Sequence, residues 1–228
     1  MRTLSEQELK LVQQAIIKKH MTSAELLMEV YDHFISHLER FPIEDFEKEL
    51  TELNKKWTCT YCETLEKEFF KNTNKSIRIT QWRLIKTHFS WPKMVFTFSL
   101  LIAITLLTNS LEGKMQRLVL VMPPLFFLLG FMVFVGAASW LRIRRIKQLF
   151  NASGLKIDST YSQYFVTYLF LPFSIINLGI YSPNQLVSYD FLPDYLSNFS
   201  VVSFSFFLYI YSISAYEAWK IKSKTALL

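Results

Sequence analysis

The sequence predicts an all-α integral membrane protein, with a cytoplasmic helical N-terminal domain followed by four transmembrane helices. Hydrophobic residues make up 51% of the 228 residues. Residues 1–92 contain 14 Lys and Arg and 14 Asp and Glu, whereas residues 93–228 contain only 11 and 5. The second part has four stretches without a charged residue, and a helix needs about 20 apolar residues to cross a bilayer. These stretches are 94–111, 118–141, 159–189 and 195–216.

The charge pattern divides the chain into three segments. Residues 1–75 are predicted to form the cytoplasmic helical domain, 76–92 a basic amphipathic segment at the membrane interface, and 93–228 a four-helix transmembrane domain. Because a bilayer core offers no water to the backbone, each crossing must be helical. The predicted spans are 93–111, 118–141, 161–181 and 198–219.

The positions of the cations predict the orientation of the spans. Lys and Arg are concentrated before span one, between spans two and three and in the C-terminal tail, whereas the links 110–117 and 180–198 are poor in cations. Cytoplasmic segments of membrane proteins carry the excess of Lys and Arg, and Trp is enriched at the interfaces. Both termini are therefore predicted to be cytoplasmic. The predicted membrane-interface residues are Arg83, Lys86, Trp91, Lys93, Trp140, Arg142, Arg144, Arg145, Trp219 and Lys220.

The N-terminal domain has the periodicity of amphipathic helices. Ser5 and Glu8 have the spacing of a capping box, which predicts a first helix over 5–19. Apolar residues at three- and four-residue steps predict a second helix over 23–40. Pro42 suits the start of a third helix, predicted over 43–72. The following segment, 77–91, is predicted either to lie on the membrane surface or to pack as a fourth helix on the domain.

The stretch Glu-Val-Tyr-Asp-His-Phe-Ile-Ser-His-Leu-Glu at 29–39 resembles the HAAS-type membrane-associated helical domain of bacteria. The resemblance covers about residues 5–70. It implies a regulatory or signalling module that is joined to a membrane anchor, and with it a location in the bacterial cytoplasmic (inner) membrane.

Histidines and cysteines of the N-terminal domain offer a two-Cys, two-His combination of zinc ligands. The candidates are His20, His33, His37, Cys59 and Cys62. In an antiparallel pair of helices that turns near 41–42, roughly 13 Å of helix would separate His33 from Cys59, at 1.5 Å per residue. We therefore predict no metal and no cofactor. A disulfide between Cys59 and Cys62 would strain a continuous helix, so redox switching is not favoured either.

Polar groups within the predicted spans are few. Asn177 in span three and Glu217 near the inner end of span four are the candidates, because polar groups at membrane depth are costly. An ion pair with Lys220, three residues away, is the favoured interpretation of Glu217. No phosphate-binding glycine loop, HExxH or G-x-S-x-G motif is present in the sequence, so no catalytic residue is predicted.

These patterns predict a non-enzymatic regulatory or signalling protein. Its cytoplasmic domain would bind a protein partner or self-associate, while the spans hold it in the lipid bilayer. The alternative is a small accessory or channel-like subunit of a larger membrane complex. Nucleic-acid binding is disfavoured, because the N-terminal domain interleaves its bases with acids. A membrane-embedded enzyme would require Asn177, Glu217 or the histidines to be essential.

Overall fold

The computed structural model describes residues 2–111, 113–151, 154–181 and 194–225, and these ranges are all-helical. The prediction of an all-α chain is therefore confirmed. One isolated parallel bridge joins Ser23 and Asp158. A short 3-10 turn occupies Ile43–Asp45. The helices are α1 (Glu6–Ile17), α2 (Ala24–Leu38), α3 (Phe46–Lys56), α4 (Cys59–His88), α5 (Lys93–Ser110), α6 (Gly113–Leu149), α7 (Thr160–Tyr181) and α8 (Asp194–Thr225).

Side-chain caps determine where the first two helices begin. The Ser5 backbone N–H donates to Glu8 Oε2 at 2.8 Å, and the Glu8 N–H donates to Ser5 Oγ at 3.4 Å. This reciprocal pair is the predicted capping box, and it satisfies two donors that a helix start leaves free. Ser23 caps α2 in the same way, accepting from the Leu26 N–H. Both predicted helices are confirmed, and each ends two residues earlier than expected.

The predicted single helix over 43–72 is wrong, because two helices, divided at 57–58, occupy this range and the second extends beyond it. The first residues of the range form the 3-10 turn, and α3 ends at Lys56 because Trp57 leaves the helical region at φ −95° and ψ 71°. Thr58 then caps α4, accepting from the Tyr61 N–H at 3.2 Å. The break expected at 72–75 is absent, and α4 continues to His88. Packing explains this continuity, because Thr73 and Ile77 are buried and outweigh the low helix propensity of their neighbours.

The chain separates into two compact units. The first unit comprises residues 1–75 and 137–163, and the second comprises 76–136 and 164–228. Three helices, α4, α6 and α7, contribute residues to both units. The predicted cytoplasmic domain, 1–75, does not include 137–163, which belongs to the same unit in the structure.

The core of the first unit is shared between its two sequence segments. Fully buried Val12 and Phe34 lie in one hydrophobic cluster with Ile146, in the last turn of α6, and Phe150, the residue after that helix. The Tyr31 and Phe150 rings meet edge to face with centroids 5.2 Å apart. Such burial stabilises by about 25 cal/mol for each Å² of apolar surface removed from water. The 137–163 segment is therefore part of the fold of this unit.

Within the residues that the structure describes, three helical stretches are long and apolar enough to cross a membrane: Lys93–Ser110, Val119–Leu149 and Asn198–Ser223. α5 packs against α8 in the second unit, where Ile104, Phe206 and Ile210 share a buried cluster. Large apolar side chains on α6 remain exposed, among them Phe126 at 68% and Val133 at 69%. These features are compatible with a multi-pass membrane protein. The predicted span 161–181 corresponds to α7, whose side chains are described as far as residue 175.

The Arg2–Glu8 ion pair predicts a contribution of the α1 start to stability that depends on pH. The hydrogen bond from Arg2, 2.7 Å from Glu8 Oε1, holds the pKa of Glu8 below its ordinary value, while burial opposes and Ser5 adds to the effect. Because the folded-state pKa is lowered, this stabilisation is present above the ordinary carboxyl pKa and is lost as pH falls through the folded value.

We expect Glu8→Gln to lower the thermal midpoint of the full-length protein in detergent at pH 7, and to have a smaller effect as the pH falls below the ordinary carboxyl range. Glu6→Gln is the matched control, because Glu6 is exposed in the same first turn. Equal shifts for the two variants at pH 7 would contradict the assignment.

Candidate functional site

The first unit contains a buried carboxylate, Glu25, at the second residue of α2. Its side chain is 6% exposed. Ser159 Oγ donates to Oε1 at 2.5 Å, and the Thr160 backbone N–H donates to Oε2 at 2.9 Å. Ser23 Oγ, the α2 cap, lies 3.4 Å from Oε2. The site therefore joins α2 to residues more than 130 positions away in sequence.

Two positive features face this carboxylate. Arg142 Nη1 lies 3.6 Å from Glu25 Oε1. Thr160 is the first residue of α7, so Glu25 also occupies the N-terminus of that helix, where free N–H groups and the helix dipole favour an anion. Isolated buried charges are costly, whereas charges that are paired and hydrogen-bonded are tolerated. The arrangement satisfies both oxygens of Glu25.

The turn before α2 is held on two sides. Glu66 Oε1, from α4, accepts from the Thr22 N–H, the Thr22 hydroxyl and the Ser23 N–H at 2.7–2.8 Å. On the other side, Asp158 N–H donates to the Thr22 carbonyl at 2.8 Å, and Ala24 N–H donates to the Asp158 carbonyl at 2.9 Å. These bonds form the isolated bridge. Residues 22–25 thus connect α4, the α6–α7 link and the start of α7.

The chemistry of this cluster is that of a joint between helices. Side-chain and backbone groups of the protein donate to both oxygens of Glu25. The Thr160 hydroxyl in turn donates to Ser23 Oγ at 2.8 Å. Hydrogen bonds to charged groups contribute about 1.5–3 kcal/mol each. Loss of one partner of a buried pair costs more than the pair contributes, because the other charge is left buried. The cluster therefore specifies how 137–163 docks on the N-terminal helices.

The candidate metal ligands are distributed over different environments. His20 and His33 are exposed, and the His33 ring packs against Trp57 with centroids 5.4 Å apart. His37 Nε2 lies 3.2 Å from Glu49 Oε2. Within the described ranges, no three His, Cys, Asp or Glu residues are close enough together to hold a metal ion.

Cys59 and Cys62 occupy the first turn of α4. Cys59 is exposed, and its Sγ lies 3.6 Å from the Lys18 carbonyl. Cys62 is fully buried in the core of the first unit, and burial raises the pKa of its thiol. Both thiols are free, and the buried one is the less reactive, since the thiolate is the nucleophile.

In the second unit, Glu217 pairs with a residue that the sequence analysis did not select. Lys93 Nζ lies 2.8 Å from both Glu217 oxygens, with the two side chains 39% and 31% exposed. The expected pair with Lys220 is therefore wrong, and Lys220 is exposed. Packing of α5 on α8 brings the start of one helix beside the last turns of the other.

His88, the last residue of α4, lies close to this ion pair. The residue is 2% exposed, and its ring nitrogens have no hydrogen-bond partner among the described residues. Burial lowers the pKa of His88, the Lys93 ammonium lowers it further, and the Glu217 carboxylate opposes both effects. The imidazole is therefore neutral at pH 7.

The predicted interface residues occupy different settings. Arg83 and Lys86 are exposed on α4, and Trp91 is 79% exposed. The Arg144 guanidinium lies 5.6 Å from the centre of the Trp140 ring, and Arg145 is exposed. The Trp219 ring packs edge to face on Phe165 with centroids 5.1 Å apart. The side chain of Asn177 lies outside the described residues.

Sequence reasoning did not identify Glu25, Ser159, Thr160 or His88. Glu25 had the pattern of a simple acidic residue in a first helical turn. Asp-Ser-Thr at 158–160 is a helix-start signal that would have placed the beginning of α7 at Thr160. No local pattern indicates that two such helix starts meet, since 134 residues separate Glu25 from Ser159.

Comparisons of the chain with protein-family models, with curated proteins and with solved structures gave no match.

The Glu25 cluster predicts a specific effect of a change that keeps the side chain's shape. Glu25→Gln removes the charge and places an NH₂ group where two donors converge. We expect a loss of about 1–3 kcal/mol in the docking of 137–163, the typical cost of an unsatisfied buried group. Hydrogen–deuterium exchange of the full-length protein should show faster exchange in 154–163.

Glu29→Gln is the matched control, because Glu29 is exposed one turn further along α2. Equal exchange in 154–163 for both variants would contradict the role given to Glu25.

Proposed function

We propose that this protein is a non-enzymatic, four-span regulatory or signalling protein of the bacterial cytoplasmic membrane. Its first unit faces the cytoplasm and binds a protein partner or a second copy of the chain. The observation that carries the proposal is the composition of this unit, which combines the N-terminal helices with 137–163, the segment that ends α6 and begins α7. Binding on the unit would therefore act on the ends of two membrane helices.

The first support for the topology comes from the shared core of the first unit. The packing of apolar side chains of 143–157 on the N-terminal helices favours one side of the membrane for both segments. α5 and most of α6 lie between them in sequence, and both are long and apolar enough to cross. Two crossings return the chain to the same side. The excess of cations in 142–156 favours the cytoplasm for that side.

The second support comes from α8. Glu217 near its end pairs with Lys93 at the start of α5, and Lys222 Nζ lies 2.6 Å from Ser76 Oγ. The end of α8 is therefore at the same side as the start of α5. If α8 crosses the membrane, its beginning at Asp194 lies on the far side. Because α7 begins in the first unit, a crossing by α7 would complete the four proposed spans, in agreement with the proposed cytoplasmic C-terminus.

The Glu25 cluster supports a regulatory role over a purely anchoring one. An anchor requires only the spans, whereas here a buried charged cluster fixes the link between α6 and α7 on the N-terminal helices. Because α4, α6 and α7 are continuous helices with residues in both units, a displacement in the first unit would be transmitted along the backbone. Signal transmission requires an element with two states, and we propose that the docking of 137–163 at Glu25 is that element.

Reporter fusions test the topology. Alkaline phosphatase, which is active only outside the cytoplasm, is expected to be active when fused after residue 187 and inactive when fused after residue 228. A fusion after residue 112 is the positive control, since it follows the first span. Activity at 228 together with inactivity at 187 would mean that α7 does not cross.

Site-specific photo-crosslinking tests the function. A photoreactive residue at Leu11, Ile43 or Tyr61, which are 44–66% exposed on the first unit, is expected to form protein adducts in native membranes. The controls are Phe126 and Val133, which are exposed on α6 and are expected to crosslink to lipid. Protein adducts at the α6 positions alone would contradict the proposal and favour the accessory-subunit alternative.

A further inference from the structure

The second half of α4 presents an exposed face that combines cations with large aromatic and aliphatic side chains. Ile79 is 45% exposed and Trp82 is 59% exposed, and Arg78, Arg83 and Lys86 are exposed beside them. At 100° per residue these five positions fall within a sector of about 140° of the helix. We call this surface the basic aromatic face.

The opposite face of the same helix segment is packed inside the second unit. Ile77 is fully buried, Gln81 is 6% exposed and His88 is 2% exposed. This division rules out the alternative in which the segment is a charged helix surrounded by solvent, because one side is anchored. Packing of the opposite face thus fixes the direction in which the basic aromatic face points. The Trp82 side chain remains exposed on it, although exposing large apolar side chains to water is unfavourable.

The charge of this face is unbalanced. No Asp or Glu occurs between residues 76 and 93. Among the described residues, no carboxylate forms a salt bridge with Arg78, Arg83 or Lys86, whereas the neighbouring Lys93 is neutralised by Glu217. Three cations within nine residues therefore remain available to an external anion.

Only four residues, 89–92, separate the end of α4 from the start of α5, the first predicted span. Phe89 and Trp91 in this link are also exposed, at 49% and 79%. Indole rings prefer the headgroup level of a bilayer, and Lys and Arg near a membrane surface attract anionic lipids. The basic aromatic face lies next to a predicted membrane boundary in sequence and has the composition of a headgroup-binding surface.

We infer that Arg78, Arg83 and Lys86, with Trp82, form a binding site for the phosphate headgroups of anionic phospholipids. This inference rests on the proposed membrane topology, and it adds a ligand class to it. Guanidinium groups bind phosphate oxygens in a bidentate manner, while the Trp82 ring inserts at the level of the headgroups and anchors the helix there. Each cation near an anionic surface contributes about a fivefold preference, from about 1 kcal/mol per Lys or Arg.

Native mass spectrometry of the full-length protein, released from detergent with added lipid, tests the site. The probes are phosphatidylglycerol and phosphatidylcholine with identical acyl chains. The wild type is expected to retain phosphatidylglycerol in preference to phosphatidylcholine. The triple variant R78Q/R83Q/K86Q is expected to lose this preference by about fivefold for each cation removed.

The control triple K56Q/K67Q/K71Q removes the same charge from exposed lysines in the first unit. Loss of preference in the first triple alone supports the site, and equal losses in both triples overturn it. Equal retention of the two lipids by the wild type also overturns the site while leaving the topology intact. Retention of neither lipid overturns the site, while the alkaline phosphatase fusions test the topology separately.

An independent readout uses brominated phosphatidylglycerol, which quenches nearby tryptophans. Trp82→Phe is expected to reduce the fluorescence intensity that is lost on quenching, and Trp57→Phe, in the first unit, is expected to leave that lost intensity unchanged. Equal effects of the two substitutions would overturn the role of Trp82.

Discussion

A buried negative charge must be compensated, and this constraint at Glu25 organises the first unit. Once the carboxylate is enclosed, it requires donors on both oxygens. Arg142 near the end of α6, Ser159 in the following link and Thr160 at the start of α7 face these oxygens, together with the local cap Ser23. The turn at 22–23 is then fixed by Glu66 from α4. Three distant parts of the chain thus meet at four consecutive residues. The apolar core around Phe34 supplies most of the burial, while the polar cluster determines which surfaces are matched.

The local signals in the sequence were sufficient for α1 and α2, because Ser5, Glu8 and Ser23 make bonds within one helical turn. The charge-free stretches were likewise sufficient for the apolar helices, since composition alone defines them. The division between α3 and α4 could not be predicted in this way. No Gly or Pro marks Trp57, and the helix start at Cys59 depends on the Thr58 hydroxyl. Burial of Thr73 and Ile77 carries α4 through residues that are weak helix formers.

Pairings across long sequence distances account for the remaining differences. Glu217 has a local cation at Lys220, yet it bonds to Lys93, which is 124 residues away, because α5 packs on α8. Arg142 has the position of an interface cation, and it also lies beside Glu25. Spacing along one helix shows which groups share a face, but it contains no information on which face of another element will cover them. His88 is a further example, because its burial depends on the packing of the second unit.

The first unit is discontinuous in sequence, and this has a consequence for biosynthesis. A ribosome makes residues 2–75 first, and Ile146, Phe150 and Ile157 follow only after α5 and most of α6 have been synthesised. Until then, part of the apolar surface around Val12 and Phe34 has no cover, and Glu25 has neither Arg142 nor Ser159 beside it. The N-terminal helices therefore remain without this cover until the end of α6 and the start of α7 have been synthesised.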